Sequence, residues 1–455
     1  MLLSIEIKRS FMATPRHSKK EHHPKKHKPP TTTPSDPVTT GPTDPTDPTT
    51  PTQPATGQPV FAQPTPSPDP TGFVDTTSDE GDYSLNDPTL LEAVPTPADG
   101  ETEPVLTLQQ VWGDAGAAKV AAITAAGQIV FHSTGDTGSS KGPETQSLVA
   151  DKMVSDFTEA DAADVPSFFF HLGDVVYNFG EGAYYYDQFY EPYRDYPAPI
   201  VAIAGNHDGV VYKTDPAPTL QAFLRNFCAA MPAVSTDAGG LSRTAQIQPG
   251  VFFTFDSPFV RILGIYSNVL EDPGVISSQG NSTSPVSDIQ LTYLTAALTR
   301  CKTENYTGAV ILAVHHPPFT FGSQHSGSPL MSADIDQAAS TAGFWPHAVL
   351  SGHAHNYQRF TRINGSTQIP YIIGGAGGHA VDSIQSGGKS GAIRTPSTVS
   401  STLTFESYDD IDYGYLRIIV TAETLQIEYH PASDGATTKT PDDVVTVNIQ
   451  TRTVS

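Results

Sequence analysis

Apolar and polar positions divide this chain into two unlike parts. Before about residue 105 apolar side chains are sparse, and beyond it short apolar runs alternate with stretches of helical spacing. That alternation predicts an α/β fold built in layers. Gln128 to His132, Ser167 to Leu172, Pro199 to Ala204, Ala309 to Val314 and Ala348 to Ser351 read as buried strands. Val251 to Phe255 and Val260 to Tyr266 read as a hairpin around Ser257 and Pro258, and three more strands follow at Tyr415 to Thr421, Thr424 to Tyr429 and Val444 to Ile449. Helical spacing marks Pro143 to Phe157 and Thr219 to Met231. A further helix opens on Ser287 and Gln290 in capping-box order, with Leu291, Leu294 and Leu298 on one face.

Composition sharpens the division. Residues 1–28 carry eight Lys and Arg against two acids and form a basic, His-rich arm. From 29 to 104 Pro, Thr, Asp and Ser dominate, with almost nothing apolar to offset ordering entropy, so this stretch is expected to be a disordered spacer. The folded domain is expected at 105–455. The chain as a whole has a net charge of −23. An acidic body excludes a nucleic-acid surface, which demands clustered bases. The arm, with His17, His22, His23 and His27, is either a solvated tail or an adhesive segment for an anionic surface or a loosely held metal. Two cysteines, Cys228 and Cys301, exclude a disulfide framework and a thiolate metal site. No apolar run reaches membrane-spanning length. MLLSIEIKRSF lacks the core of a signal peptide, but the Pro/Thr spacer is of the kind found in exported proteins, and the expectation leans towards export.

Five motifs stand where predicted strands stop: GDTG at Gly135 to Gly138, GDVVY at Gly173 to Tyr177, GNHD at Gly205 to Asp208, VHHPP at Val314 to Pro318 and GHAH at Gly352 to His355. Taken singly, Asp136 and Asp174 read as turn or cap residues, Tyr177 as a core aromatic and His315 or His316 as a satisfied core histidine. Taken together, they offer carboxylates, a phenol, a carboxamide and imidazoles at the strand ends where α/β sites gather. His353 and His355 are alternate residues that can face two neighbouring metals. His132, His171 and His379 read as structural or supporting residues. SIQSGGKS at Ser383 to Ser390 lacks the first glycine of a phosphate loop, and the sequons at Asn281, Asn305 and Asn364 are common accidents in a Ser/Thr-rich chain.

The ordered set resembles the calcineurin-like metallophosphoesterase superfamily, and within it the purple acid phosphatases. Gly138 stands where most of that superfamily has a histidine, and Tyr177 follows Asp174, as in the purple branch. GHAHNYQR at Gly352 to Arg359 and YIIGGAGG at Tyr371 to Gly378 carry the same likeness, over about Val130 to Gly378. The resemblance implies a four-layer αββα sandwich with two mixed central sheets and two metal ions. A first, ferric ion would take Asp136, Tyr177 and His355. A second, Fe(II), Zn(II) or Mn(II), would take Asn206, His315 and His353, and Asp174 would bridge. His315 is preferred to His316 because the family pattern puts the ligand first in His-x-Pro. The resemblance further implies hydrolysis of a small phosphate ester by metal-activated hydroxide. Asn206 and His207 would bind the phosphoryl group, and His325 would protonate the leaving alkoxide. Plant members often have a histidine just before that position, where this chain has Gln324. The leading expectation is a phosphomonoesterase of acid phosphatase type. The alternatives are a phosphodiesterase on the same fold and, from another class, a surface-attached binding protein with a vestigial site. The polar stretches Glu271 to Pro285 and Asp382 to Asp410 are expected to wall the pocket.

Overall fold

The computed structural model describes residues 57–63, 72–76, 93–97, 100–209, 219–280, 286–322, 325–384 and 393–455. The basic arm with its histidines, most of the spacer, Asn281, Gln324 and residues 385–390 of the phosphate-loop lookalike lie outside the described residues.

Strand β1 (Val105–Thr107) leads into helices α1 (Leu108–Val111) and α2 (Gly116–Ala126). Then come β2 (Gln128–Thr134), α3 (Glu144–Ser155), β3 (Phe169–His171), β4 (Ile200–Ala202), α4 (Asn206–Gly209) and α5 (Gln221–Phe227). The hairpin β5 (Phe253–Ser257) and β6 (Val260–Ile265) precedes α6 (Ile289–Thr303), β7 (Ala309–Val314), α7 (Pro329–Ala342) and β8 (Ala348–Ser351). The chain ends in β9 (Tyr357–Asn364), β10 (Thr367–Gly374), β11 (Ser397–Ser400), β12 (Leu403–Asp409), β13 (Gly414–Thr421), β14 (Thr424–Pro431) and β15 (Asp443–Asn448).

These strands form two mixed sheets. One has nine strands in the order β1-β5-β6-β7-β8-β10-β9-β12-β11, the other six in the order β15-β14-β13-β2-β3-β4. β2, β3 and β4 run parallel in the smaller sheet, and β6, β7 and β8 run parallel in the larger. Parallel strands buried on both faces need apolar residues throughout, and β7 (AVILAV) is buried at all six positions.

The two-residue period of each strand sorts its side chains into two cores. Phe168, Phe170, Val201 and Ile203 of the smaller sheet face Phe253, Phe255, Ile311 and Ala313 of the larger. Phe168 meets Phe255 edge-on at 4.9 Å across the gap. The intervening residues Phe169, Ile200 and Ala202, and likewise Val310, Leu312 and Val314, belong with the helices. α3 lies against the smaller sheet, while α6 lies against the larger one and packs on α7. The result is the expected four-layer αββα sandwich. Each buried Leu, Ile or Phe contributes roughly 1.5–3 kcal/mol.

The structure departs from the sequence reading in several places. α6 is not opened by a Ser287–Gln290 box: Asp288 is the N-cap, without a side-chain cap bond. Gln290 turns inward and clamps the backbone of Tyr266, accepting from its N–H at 2.8 Å and donating to its carbonyl at 2.6 Å. The capping box occurs instead at Thr107 and Gln110. Helix α7, unread in the sequence, carried its own signals: Ser328 caps it, Pro329 starts it and Gly343 ends it at φ 65°. The β9–β10 hairpin turns on Gly365 at φ 62° and Ser366, a glycine-first two-residue turn. Strands β11 and β12 lie inside the polar stretch Asp382 to Asp410, where no apolar run announces them.

Parts of the spacer pack on the domain, so the folded body reaches further towards the N-terminus than residue 105. Val60 accepts from the Thr244 N–H at 3.0 Å, and Gln63 donates its backbone N–H to Arg194 at 2.8 Å. Phe61 meets the Trp112 ring at 4.9 Å. Cys228 and Cys301 are free thiols. Among the described residues no helix is long and apolar enough to cross a membrane.

Candidate metal centre

All five motifs converge at the carboxyl ends of the parallel strands, in the seam between the two sheets. β2 delivers Asp136, β3 delivers Asp174 and Tyr177, and β4 delivers Asn206. β7 delivers His315, and β8 delivers His353 and His355. All seven are buried. The Tyr177 hydroxyl lies 2.9 Å from Asp174 Oδ2 and 3.3 Å from both Asp136 Oδ1 and His355 Nε2. His315 Nε2 lies 3.2 Å from Asp174 Oδ2 and 3.1 Å from Asn206 Oδ1. His353 Nδ1 lies 3.2 Å from the same Asn206 oxygen. Two clusters emerge, Asp136–Tyr177–His355 and Asn206–His315–His353, with Asp174 touching both.

The backbone is bent to achieve this. Asp136, Asp174 and His353 have φ of 56°, 53° and 69°, a left-handed conformation that side chains with a Cβ adopt at a cost of roughly 1–3 kcal/mol each. Local hydrogen bonds hold them there. His353 N–H donates to both oxygens of Asp136 (3.1 and 2.9 Å), and His207 N–H donates to Asp174 Oδ1 at 2.9 Å. Asp208 takes the Gly205 N–H at 2.8 Å and the Val175 N–H at 3.0 Å, tying GNHD to GDVVY. Two glycines are required by close approach. A methyl on Gly205 would fall on the Asp174 carboxylate. A methyl on Gly138 would fall on Gln188 Oε1, 2.6 Å from Val175 O and 3.1 Å from the Tyr177 ring. Gly138 is therefore set by its close neighbours: Gln188 and the Val175 carbonyl fill the room a side chain would need, and the edge of the Tyr177 ring borders it.

Electrostatics in the seam are those of a cage for cations. Burial and the Asp174 charge push Asp136 up to about 8. Burial would raise Asp174 too, but His315 and His207 hold it well below the usual carboxylate range. Burial opposes the charge on His315, yet Asp174 and Asp136 raise it to about 9. Burial and the two carboxylates lift Tyr177 well above an ordinary phenol. His353 and His355 are driven well below the imidazole range by burial and by neighbouring histidines, so both are neutral and able to ligate. The His353 Nε2 atom is buried without a hydrogen-bond partner. Buried carboxylates, a buried carboxamide and neutral imidazoles, crowded together with no lysine or arginine among them, fit a pair of metal ions. Asp136, Asp174 and His315 bring their ligand atoms within 4.8 Å of one another.

The remaining histidines sort by their partners. His316 has both ring nitrogens engaged, with Ser267 Oγ and Leu270 O, each at 2.7 Å. His315 spends only Nδ1, on Leu172 O at 2.8 Å, which leaves Nε2 for the cage. His171 bonds Thr137 and Gly173, and His132 bonds Tyr196 and Asp156, so both support the frame. His207 lays its ring 4.4 Å from that of Tyr177 and bonds Asn178 O through Nδ1 at 2.7 Å. His325 sits over the cage, its ring 4.6 Å from His353 and 4.9 Å from His355. Its two nitrogens meet Glu271 at 3.1 Å and Asp382 at 3.2 Å. Burial opposes its charge, but hydrogen bonds to Asp382 and Glu271 raise it to about 10. Glu271 and Asp382 were legible only as members of the two polar wall segments, and nothing in the sequence singled them out as partners of His325. Asp208, present in GNHD, was likewise given no role.

Residues 134–357 match the calcineurin-like phosphoesterase family. No curated protein sequence matches the chain significantly. Among solved structures the chain is similar to a purple acid phosphatase from yellow lupin (Lupinus luteus) seeds, at 16% identity and TM-score 0.46. That match covers 70% of this chain and 54% of the lupin chain, so this chain spans about half the length of that relative. It is also similar to the anchor of the inner membrane complex of Plasmodium, at 15% identity and TM-score 0.48, covering 71% of this chain and 89% of that one. A dimetal phosphatase from Danio rerio matches at 9% identity and TM-score 0.41, covering 71% and 99%. Five ordered motifs, two mixed sheets meeting at their strand ends and the family match together give the identification: residues 134–357 of this chain form a calcineurin-like phosphoesterase domain.

Proposed function

We propose that the domain is a dinuclear-metal phosphohydrolase acting on phosphomonoesters, with Asp136, Tyr177 and His355 holding one ion and Asn206, His315 and His353 the other. The convergence of seven donors on two clusters, with Asp174 between them, carries this reading. A tyrosinate donor favours a ferric ion in the first cluster, and the carboxamide–imidazole set of the second suits Fe(II), Zn(II) or Mn(II). When bound, the pair lowers the pKa of bound water and neutralises charge on the phosphoryl oxygens.

The protein's own groups complete the reaction. Asn206 faces the second cluster with its amide oxygen, and its Nδ2 lies 3.5 Å from Glu271. His207 keeps Nδ1 on Asn178 and so presents Nε2 to a phosphoryl oxygen. His325, above the cage, hands a proton to the departing alkoxide, with Glu271 and Asp382 orienting its ring.

Hydrolysis of p-nitrophenyl phosphate against its bis ester tests the substrate class. A large preference for the monoester is expected, and a strong preference for the diester would overturn the assignment. The ferric–tyrosinate reading predicts a violet to pink protein, and Tyr177→Phe should bleach it while the metals stay bound.

A further inference from the structure

We propose that His379 is a positioning residue for Tyr177, clamping the phenol ring face-on so that its oxygen stays aimed into the cage. This rests on the reading of Tyr177 as a metal donor. The Tyr177 ring has imidazole on both sides, but the two contacts differ. His207 is tilted by 42° at 4.4 Å, whereas His379 lies parallel within 10° at 3.5 Å between centroids.

His379 is itself held by the loop that carries Asp136. Its Nδ1 meets Gly138 O at 2.8 Å, and its backbone N–H donates to Asp136 O at 2.9 Å. A carbonyl can only accept, so Nδ1 bears a proton and is fixed as the donor. The glycine run after β10 supplies the placement: Gly377 N–H bonds Gly135 O at 3.1 Å, and Thr145 Oγ1 bonds Gly378 O at 2.5 Å. The run thus closes on the Asp136 loop and delivers a planar ring against the phenol.

A phenol free to tilt would carry its oxygen away from Asp136 and His355, each 3.3 Å distant. The parallel His379 ring and the tilted His207 ring restrict the phenol, and Gly138 leaves room for its edge. Gly138, Tyr177 and His379 therefore act together, although they come from three separate stretches of the sequence.

The test compares iron-loaded wild type with His379→Phe and His379→Leu, each checked for a wild-type melting midpoint. Phe keeps a planar ring without the Nδ1 bond, and Leu fills the space without a plane. The visible charge-transfer band and the rate of iron loss to a chelator are read. The wild-type band should move and weaken in His379→Leu, with iron lost about tenfold faster, while His379→Phe should retain a near-wild-type band. A coloured wild type whose band and iron retention are unchanged in His379→Leu would overturn the proposal. A fully iron-loaded but colourless wild type would overturn the Tyr177 assignment itself, whatever the variants show.

Discussion

The two sheets supply unlike chemistry to the same seam. Every oxygen donor in the candidate centre, Asp136, Asp174, Tyr177 and Asn206, follows a strand of the six-stranded sheet. Every imidazole donor, His315, His353 and His355, follows a strand of the nine-stranded sheet. One side offers buried carboxylates, a phenol and a carboxamide, and the other offers three buried imidazoles. Neither is a site alone. The oxygen side by itself would be an uncompensated acidic cluster, and the nitrogen side would be a set of buried polar rings. The contrast teaches that in the proposed centre metal binding would depend on sheet packing, because each cluster takes donors from both sheets.

The largest effects should come from breaking the seam at its shared donor. Asp174→Ala should lower activity by more than about a hundredfold, because even residues that only orient metal ligands cost 10–100-fold. It should also deplete both metals, whereas His355→Ala should deplete chiefly the one beside Tyr177. Elemental analysis of the two variants separates shared from single donors, and equal depletion would contradict the two-cluster description. Metal removal comes next. Ligation across the seam should stabilise the fold by about 4 kcal/mol when free metal exceeds its dissociation constant a thousandfold. Chelation should therefore lower the melting midpoint by several degrees, at no more than about 2–4 °C per kcal/mol for a domain of this size.

Gly138→Ala sharpens the comparison within the oxygen side. The added methyl meets Val175, Gln188 and Tyr177, so a loss of about 1–3 kcal/mol is expected. The same change should disturb the visible band, since the Tyr177 ring is among the neighbours that must give way. An unchanged spectrum with lowered stability would mean that the phenol is not held by this contact.

The smallest predicted effect lies outside the seam. Asp156 is buried beside His132 (2.9 Å), Tyr415 (2.6 Å) and Lys439. Burial keeps His132 below the imidazole range, so it serves as a neutral donor, and Lys439 is the standing positive charge. Burial opposes ionisation of Asp156, but these partners hold it below the usual carboxylate range. A carboxylate depressed in the folded state stabilises above its unfolded pKa of about 4, and that contribution is lost as pH falls below it. Asp156→Asn should thus flatten the acid limb of the stability curve, measured by denaturant titration between pH 7 and pH 3. An acid limb of unchanged steepness would assign the effect to other carboxylates.

How much of this was legible in the sequence depended on whether a signal was local. The strands bearing the motifs stood out because parallel strands buried on both faces are uniformly apolar, as β7 is. The donors stood out because each motif follows its strand within a few residues. β11 and β12 did not, since an edge hairpin in a polar stretch carries no such run. Gln290 was misread for a related reason. A capping pattern is local, but its amide goes to Tyr266, which only the fold brings near. Glu271 and Asp382 stayed invisible as partners of His325, because they come from separate loops and meet only above the cage.

The most direct test of the central claim is the metal content of the purified, active protein, counted per chain by elemental analysis alongside phosphomonoester hydrolysis. Two ions per chain, with activity lost on their removal and restored on their return, are predicted. Fewer than one tightly bound ion per chain, or full activity without metal, would contradict it.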